Sequence, residues 1–167
     1  MPGPGRRMKN LVVYYSRSSN TETVAKEIAK TLKGEIKKIE LIKELSFFWA
    51  AVTACFGKEG KIKPFDFDLS DYDNLFIGSP VWAGKTSTPI NTFINNTDFS
   101  GKNVYVFLTQ ADEKTPSAVF ESMTGRIEAR GGRVKDTLFI QTNMKNPLTS
   151  EQATKPVEEW LQKAQLI

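Results

Sequence analysis

Strand-length runs rich in Val, Ile and aromatic residues alternate with stretches of helical period along this chain, and few architectures accept that order. Asn10 to Tyr15 reads as a strand, and Thr21 to Lys33 as an amphipathic helix with Val24, Ile28, Ala29 and Leu32 on one face. Gly34 follows, where a left-handed residue is wanted at a helix end. Glu35 to Leu41 alternates apolar and charged residues, as an edge strand with one wet side does. Asn74 to Gly78 and Asn103 to Thr109 read as short buried strands, and Pro89 to Ile94 starts a helix between them. Pro116 to Arg130 is helical, Arg133 to Gln141 is a fifth strand, and Ser150 to Gln165 is a last helix with Ser150 as its N-cap.

Strands that are nearly continuous in apolar residues and alternate with helices imply a parallel sheet covered on both faces. The fold expected is therefore α/β, a three-layer doubly wound sandwich on five parallel strands. Ligands of such sheets bind beyond the carboxyl ends of the strands, so loops 16–21, 79–88 and 109–115 should share one rim. One connection breaks the rhythm. About 30 residues precede Asn74, and within them Phe47, Phe48, Trp49, Val52 and Phe56 crowd a short helical stretch expected to pack against the body as a lid.

At 167 residues, with 40% hydrophobic and 25% charged, the chain suits one domain over 9–167 behind a short disordered leader at 1–8. The absence of any long apolar run predicts a cytoplasmic protein that does not enter a membrane. There is no histidine and one cysteine, Cys55, which excludes a Ser-His-Asp or Cys-His mechanism, an internal disulfide and a zinc cluster. Lys61 stands six residues after Cys55 where a Cys-x5-Arg phosphatase needs arginine. The charge of +4 is spread from end to end and matches solubility and an acidic partner protein better than nucleic acid.

The joint between the first strand and helix, Ser16-Arg17-Ser18-Ser19-Asn20-Thr21, has five Ser, Asn or Thr residues in six positions. A helix start presents unpaired N-H groups and a partial positive charge, which favours an anion. The joint lacks the glycines and lysine of Gly-x4-Gly-Lys-Ser/Thr, and it lacks Gly-x-Gly-x-x-Gly. A hydroxyl-rich loop of this kind suits one terminal phosphate monoester. A helix cap alone would need only one such residue.

Ser-x-Ser-x-Asn-Thr resembles the phosphate loop of flavodoxins and flavodoxin-like flavoproteins, whose usual form is Ser/Thr-x-Thr-Gly-Asn-Thr. "YDNLFIGSPVWAGKTSTPINTFI", Tyr72 to Ile94, is similar to the strand, flavin loop and helix of that family, and "FSGKNVYVFLTQADE", Phe99 to Glu113, occupies the place of its other flavin-flanking loop. The resemblance implies the strand order 2-1-3-4-5 and FMN as cofactor. Ser16, Ser18, Asn20 and Thr21, with the backbone of Arg17 to Thr21, would hold the phosphate. Pro80, Val81, Trp82, Ala83, Gly84 and Lys85 would edge the flavin ring, with Trp82 stacked on it, and Thr109, Gln110, Ala111 and Asp112 would flank it. In the family a peptide at the position of Gly84 flips to favour one-electron chemistry. Ser19 replaces the family's glycine and predicts a less tight turn.

Two departures refine the expectation. Flavodoxins proper are usually acidic, whereas this chain is basic and carries Lys85 beside the flavin loop, which would raise the potential of a bound flavin. Gln110-Ala111-Asp112-Glu113 stands where aromatic residues often cover the outer flavin face, leaving that face open. The leading expectation is an electron carrier serving a redox partner protein, as monomer or homodimer. The alternatives are an NAD(P)H-dependent quinone or FMN reductase of the same fold and a binding domain without flavin.

Overall fold

A computed structural model describes residues 6–167. Residues 1–5 of the expected leader lie outside the described residues, and so does the side chain of Phe47. Among the described residues eleven elements follow one another: β1 (Asn10–Tyr14), α1 (Asn20–Leu32), β2 (Glu35–Lys38), α2 (Phe47–Cys55), β3 (Asn74–Trp82), β4 (Lys85–Thr86), α3 (Thr88–Asn96), β5 (Asn103–Gln110), α4 (Ser117–Glu128), β6 (Arg133–Gln141) and α5 (Ser150–Lys163).

The sheet runs β2-β1-β3-β5-β6, all parallel, and the two-residue β4 folds back antiparallel on the end of β3. Numbered among the parallel strands alone, this is the order 2-1-3-4-5. Alternate residues of each strand feed two separate cores, because successive side chains leave a strand on opposite faces. Val12, Tyr14, Phe76, Tyr105 and Phe107 pack under α1 and α5, against Val24, Ile28, Val157, Trp160 and Leu161. Leu11, Val13, Leu75, Ile77, Val104, Val106 and Leu108 pack on the other face against Ile90, Phe93, Ile94, Val119, Met123 and Ile127 of α3 and α4. Burying each such side chain contributes roughly 1.5–3 kcal/mol. Gly78 leaves room for the Phe107 ring of neighbouring β5, with which an added Cβ would collide.

Element ends differ from the sequence reading in three instructive places. Lys33, at φ 51°, takes the left-handed position expected of Gly34. Lys33 N-H donates to Lys30 O at 3.3 Å and Gly34 N-H to Ala29 O at 2.9 Å, the paired bonds of a Schellman end. Thr149, not Ser150, caps α5, in a capping box with Gln152. Strand β3 runs on to Trp82 and turns into β4, because Ala83 and Gly84 both adopt positive φ (48° and 70°), as a two-residue hairpin turn with matching twist requires.

The long connection is both packed and exposed. Ala50 and Ala54 of α2 are buried, and Ile62, Phe65 and Phe67 pack on the core, with Phe67 lying over Phe93 at 6.2 Å between ring centroids. Phe48, Trp49 and Phe56 instead stand 68%, 58% and 74% exposed. A nine-residue helix between two loops can lay only one side on the body, so the expected lid is half a surface.

Candidate functional site

The joint after β1 keeps its hydroxyls at the start of α1. Ser19, at φ 67°, occupies the N-cap position without making a side-chain cap bond, and its carbonyl accepts from Thr23 N-H at 2.9 Å and Thr23 Oγ1 at 3.0 Å. The turn glycine would make is thus retained by a residue with a Cβ, at a conformational cost of about 1–2 kcal/mol. Ser16, at the head of the loop, is 8% exposed, and its buried Oγ has no hydrogen-bond partner among the described residues. An unpaired buried hydroxyl costs on the order of 1–3 kcal/mol. It stands at the approach to a helix start, where N-H donors and a hydroxyl together suit an anionic acceptor.

Two other side chains of the joint are committed to the protein. Thr21 Oγ1 pairs with Thr109 Oγ1 at 2.8 Å in a fully buried contact that locks the first and third rim segments together. Asn20 Oδ1 accepts from Leu148 N-H at 2.7 Å, and its Nδ2 donates to Ser18 Oγ at 3.3 Å. Asn20 therefore fastens the segment after β6 to the joint.

Beyond the carboxyl ends of β1, β3, β5 and β6 opens a cleft of about 340 Å³, lined by Arg17, Ser18, Asn20, Pro80, Val81, Trp82, Thr109, Gln110, Ala111, Thr142 and Met144. That volume is within the range of cofactor sites. Nine of the sequence-selected residues meet in it. Trp82 is 6% exposed and rests edge-on against Tyr15 at 5.4 Å between centroids, so it is wall and core at once. Tyr15 in turn donates to Glu44 Oε2 at 2.9 Å, and burial followed by that carboxylate pushes its phenol up from its ordinary value. Gly84 and Asp112 line a separate shallow recess beside α4, and Lys85 lines a third cleft with Cys55 and Arg126. Cys55 Sγ approaches the Ala83 carbonyl at 3.9 Å.

Thr142 and Met144 are additions that the sequence reading did not make. The rule that placed the other loops at the rim also covers the segment after β6. Thr142 N-H donates to Gln110 O at 2.8 Å, extending the β5–β6 ladder to the cleft, and Met144 is 71% exposed.

A model of the flavodoxin family matches residues 58–151, more than half of the chain, beginning after the phosphate-type joint. No match is found among curated proteins. Among solved structures, a candidate flavoprotein from Bacteroides eggerthii is 19% identical, with a TM-score of 0.74 over 95% of this chain and 99% of that one. A flavoprotein from Lactobacillus acidophilus, solved in complex with FMN, is 24% identical, with a TM-score of 0.70 over 80% of this chain and 93% of that one. Flavodoxin 1 from Bacillus cereus is 20% identical, with a TM-score of 0.57 over 90% and 93%. At these identities the likeness is one of fold. With the family match across β3 to the start of α5 and the 2-1-3-4-5 sheet, the chain belongs to the flavodoxin family.

Proposed function

We propose that the cleft binds FMN and that the protein carries electrons between redox partners. The observation that carries this reading is the partnerless, buried Ser16 Oγ at the start of α1, beside a cleft of cofactor size. Ser16 and the backbone of residues 17–21 would hold the phosphate, while Pro80, Val81, Trp82, Thr109, Gln110 and Ala111 would edge the ring system. Ser18, Ser19, Asn20 and Thr21 shape the socket, the last two chiefly by tying rim segments together. Ala83, Gly84 and Lys85 belong to the turn and short strand that follow Trp82, and neither they nor Asp112 lines the cleft itself, so this reading gives them no direct contact with the ring. Bound FMN supplies one- and two-electron redox chemistry at this rim. The buried Trp82 supplies apolar wall to the cleft, and the exposed Met144 also lines it.

An acidic redox protein is the partner this reading expects. The support is the +4 charge and the exposed Phe48, Trp49 and Phe56 near Lys58 and Lys61. Its mark is an electron-transfer rate that falls steeply as salt is added, and a rate indifferent to salt would remove the acidic partner from the reading.

The reductase alternative draws on one observation, the exposed Ala111 to Lys114 stretch, which leaves the outer side of the cleft open. Stepwise photoreduction of the FMN-loaded protein, followed by visible absorbance, separates the two. Accumulation of the one-electron-reduced form supports the carrier. Passage straight to the two-electron form, with NAD(P)H oxidised by the protein alone, supports the reductase. A colourless preparation that takes up no added FMN removes both.

A further inference from the structure

The cleft that Lys85 lines with Cys55 and Arg126, of about 350 Å³, lies between the end of α2, β4, α3 and α4. Arg126 of α4 reaches into its wall. Its Nη1 donates to Asn91 Oδ1 at 2.8 Å and its Nη2 to Thr86 Oγ1 at 3.2 Å. Asn91 is oriented for this: its Nδ2 donates to Lys58 O at 3.1 Å, which turns its oxygen toward the arginine. Both acceptors are neutral. Among the described residues no carboxylate forms an ion pair with Arg126, and Arg126 Nε is buried with no hydrogen-bond partner. Burial holds its guanidinium below the usual value, yet an arginine stays charged in a protein at any ordinary pH.

Two neutral oxygens satisfy two of the five N-H donors and none of the charge. A partly buried cation without a counter-ion is costly, and an anion in the cleft offsets that cost. The same cleft is lined by a second cation, Lys85, and by the Ser122 hydroxyl on α4. Lys85 also forms no ion pair with a carboxylate among the described residues. The fork of an arginine suits planar carboxylate and phosphate oxygens, and a nearby ammonium adds a point charge.

We propose that this Arg126 cleft is a binding site for a small oxyanion, the carboxylate or phosphate of a small molecule, seated on Arg126 with Lys85 and Ser122 as further donors. The hairpin joins it to the main cleft, because Thr86 pairs with Val81 and Lys85 with Trp82. The site uses none of the 16–21 joint, and its anchor, Arg126, lines no part of the main cleft, so Arg126→Gln tests it separately from FMN binding.

The test is a titration of isotopically labelled, purified protein with inorganic phosphate and, separately, with malonate. Heteronuclear NMR follows the Arg126 Nε-H signal and the backbone amides of Lys85 and Ser122. A saturable shift with a Kd of about 1 mM or tighter for at least one anion is expected, and the tighter of the two assigns the ligand class. Arg126→Gln keeps an amide donor toward Asn91 and removes the charge, and it should weaken binding by about tenfold or more, equal to about 1.4 kcal/mol or more. Lys85→Ala should weaken it severalfold. The proposal is overturned if neither anion saturates in the parent protein, if sodium chloride at matched ionic strength gives the same shifts, or if Arg126→Gln binds as tightly as the parent. Should Arg126→Gln not fold, the parent titration and Lys85→Ala decide the matter alone. FMN uptake, read by visible absorbance in the same samples, reports separately on the main cleft.

Discussion

Ser16 and Ser19 show how two like residues in one loop do different work. Ser16 Oγ is buried without a partner, and Ser19 is held at φ 67°. Ser16→Ala should therefore act with opposite signs on the two states. Removing an orphaned hydroxyl stabilises the empty protein by about 1 kcal/mol, while FMN loses a donor to its phosphate and binds about 1–3 kcal/mol more weakly. Calorimetric titration with FMN and denaturant unfolding of the FMN-free protein measure the two effects. Unchanged affinity would take Ser16 out of the phosphate socket. Ser19→Gly should stabilise the fold by about 0.5–1 kcal/mol, since relief of the left-handed strain is partly offset by the greater entropy of glycine in the unfolded chain. Denaturant midpoints check it, and a fall in midpoint would mean that the Ser19 side chain contributes more than its strain costs. The sequence could announce the hydroxyls, because spacing and residue type are local. It could not announce which hydroxyl is left unpaired: Thr21 is taken by Thr109 and Asn20 by Leu148, across 88 and 128 positions.

At the scale of elements, the reading from sequence holds where one period dominates. Helix α1 and strands β1, β5 and β6 fall within a residue of the expected spans, because their apolar residues are spaced for burial on both sheet faces or on one helix face. It slips where chemistry at an end competes with pattern. The Thr-x-x-Gln capping box at Thr149 was legible and outranks Ser150, whose Oγ instead donates to buried Glu27 Oε2 at 3.2 Å. The β3–β4 hairpin was not legible, since Ala83 disfavours the positive φ its turn demands. Helix α5 carries Pro156 in its interior, where the ring removes the N-H that Gln152 O would accept. Pro156→Ala should accordingly raise stability by about 1–3 kcal/mol, as read from chemical unfolding. A loss instead would mean that the helix is bent to its seat on α1 and needs the proline.

The whole molecule responds to alkali through its tyrosines. All four, Tyr14, Tyr15, Tyr72 and Tyr105, have phenols raised above the ordinary value of 10.0. Burial is the main cause at Tyr14, Tyr15 and Tyr105, with Glu22 adding at Tyr14 and Glu44 at Tyr15. At Tyr72 the hydrogen bond to Glu35 Oε2, 2.6 Å long, leads. Tyr14 and Tyr72 are pushed up to about 12. Well below pH 10 every phenol is protonated in both states and contributes no slope. Above it the unfolded chain releases protons that the folded chain keeps, so ionisation favours unfolding and stability falls until the folded phenols ionise as well. Each tyrosine adds at most about 1.4 kcal/mol per pH unit over that window. Tyrosinate absorbance in the near ultraviolet should accordingly rise together with the loss of helical circular dichroism. Tyr14→Phe should shallow the fall in stability above pH 10. Tyrosinate forming at its ordinary pH while the helices remain intact would show that the hydroxyls of Tyr14, Tyr15 and Tyr105 are not shut into the two cores, and that the strand-by-strand alternation feeding those cores leaves water at the phenols.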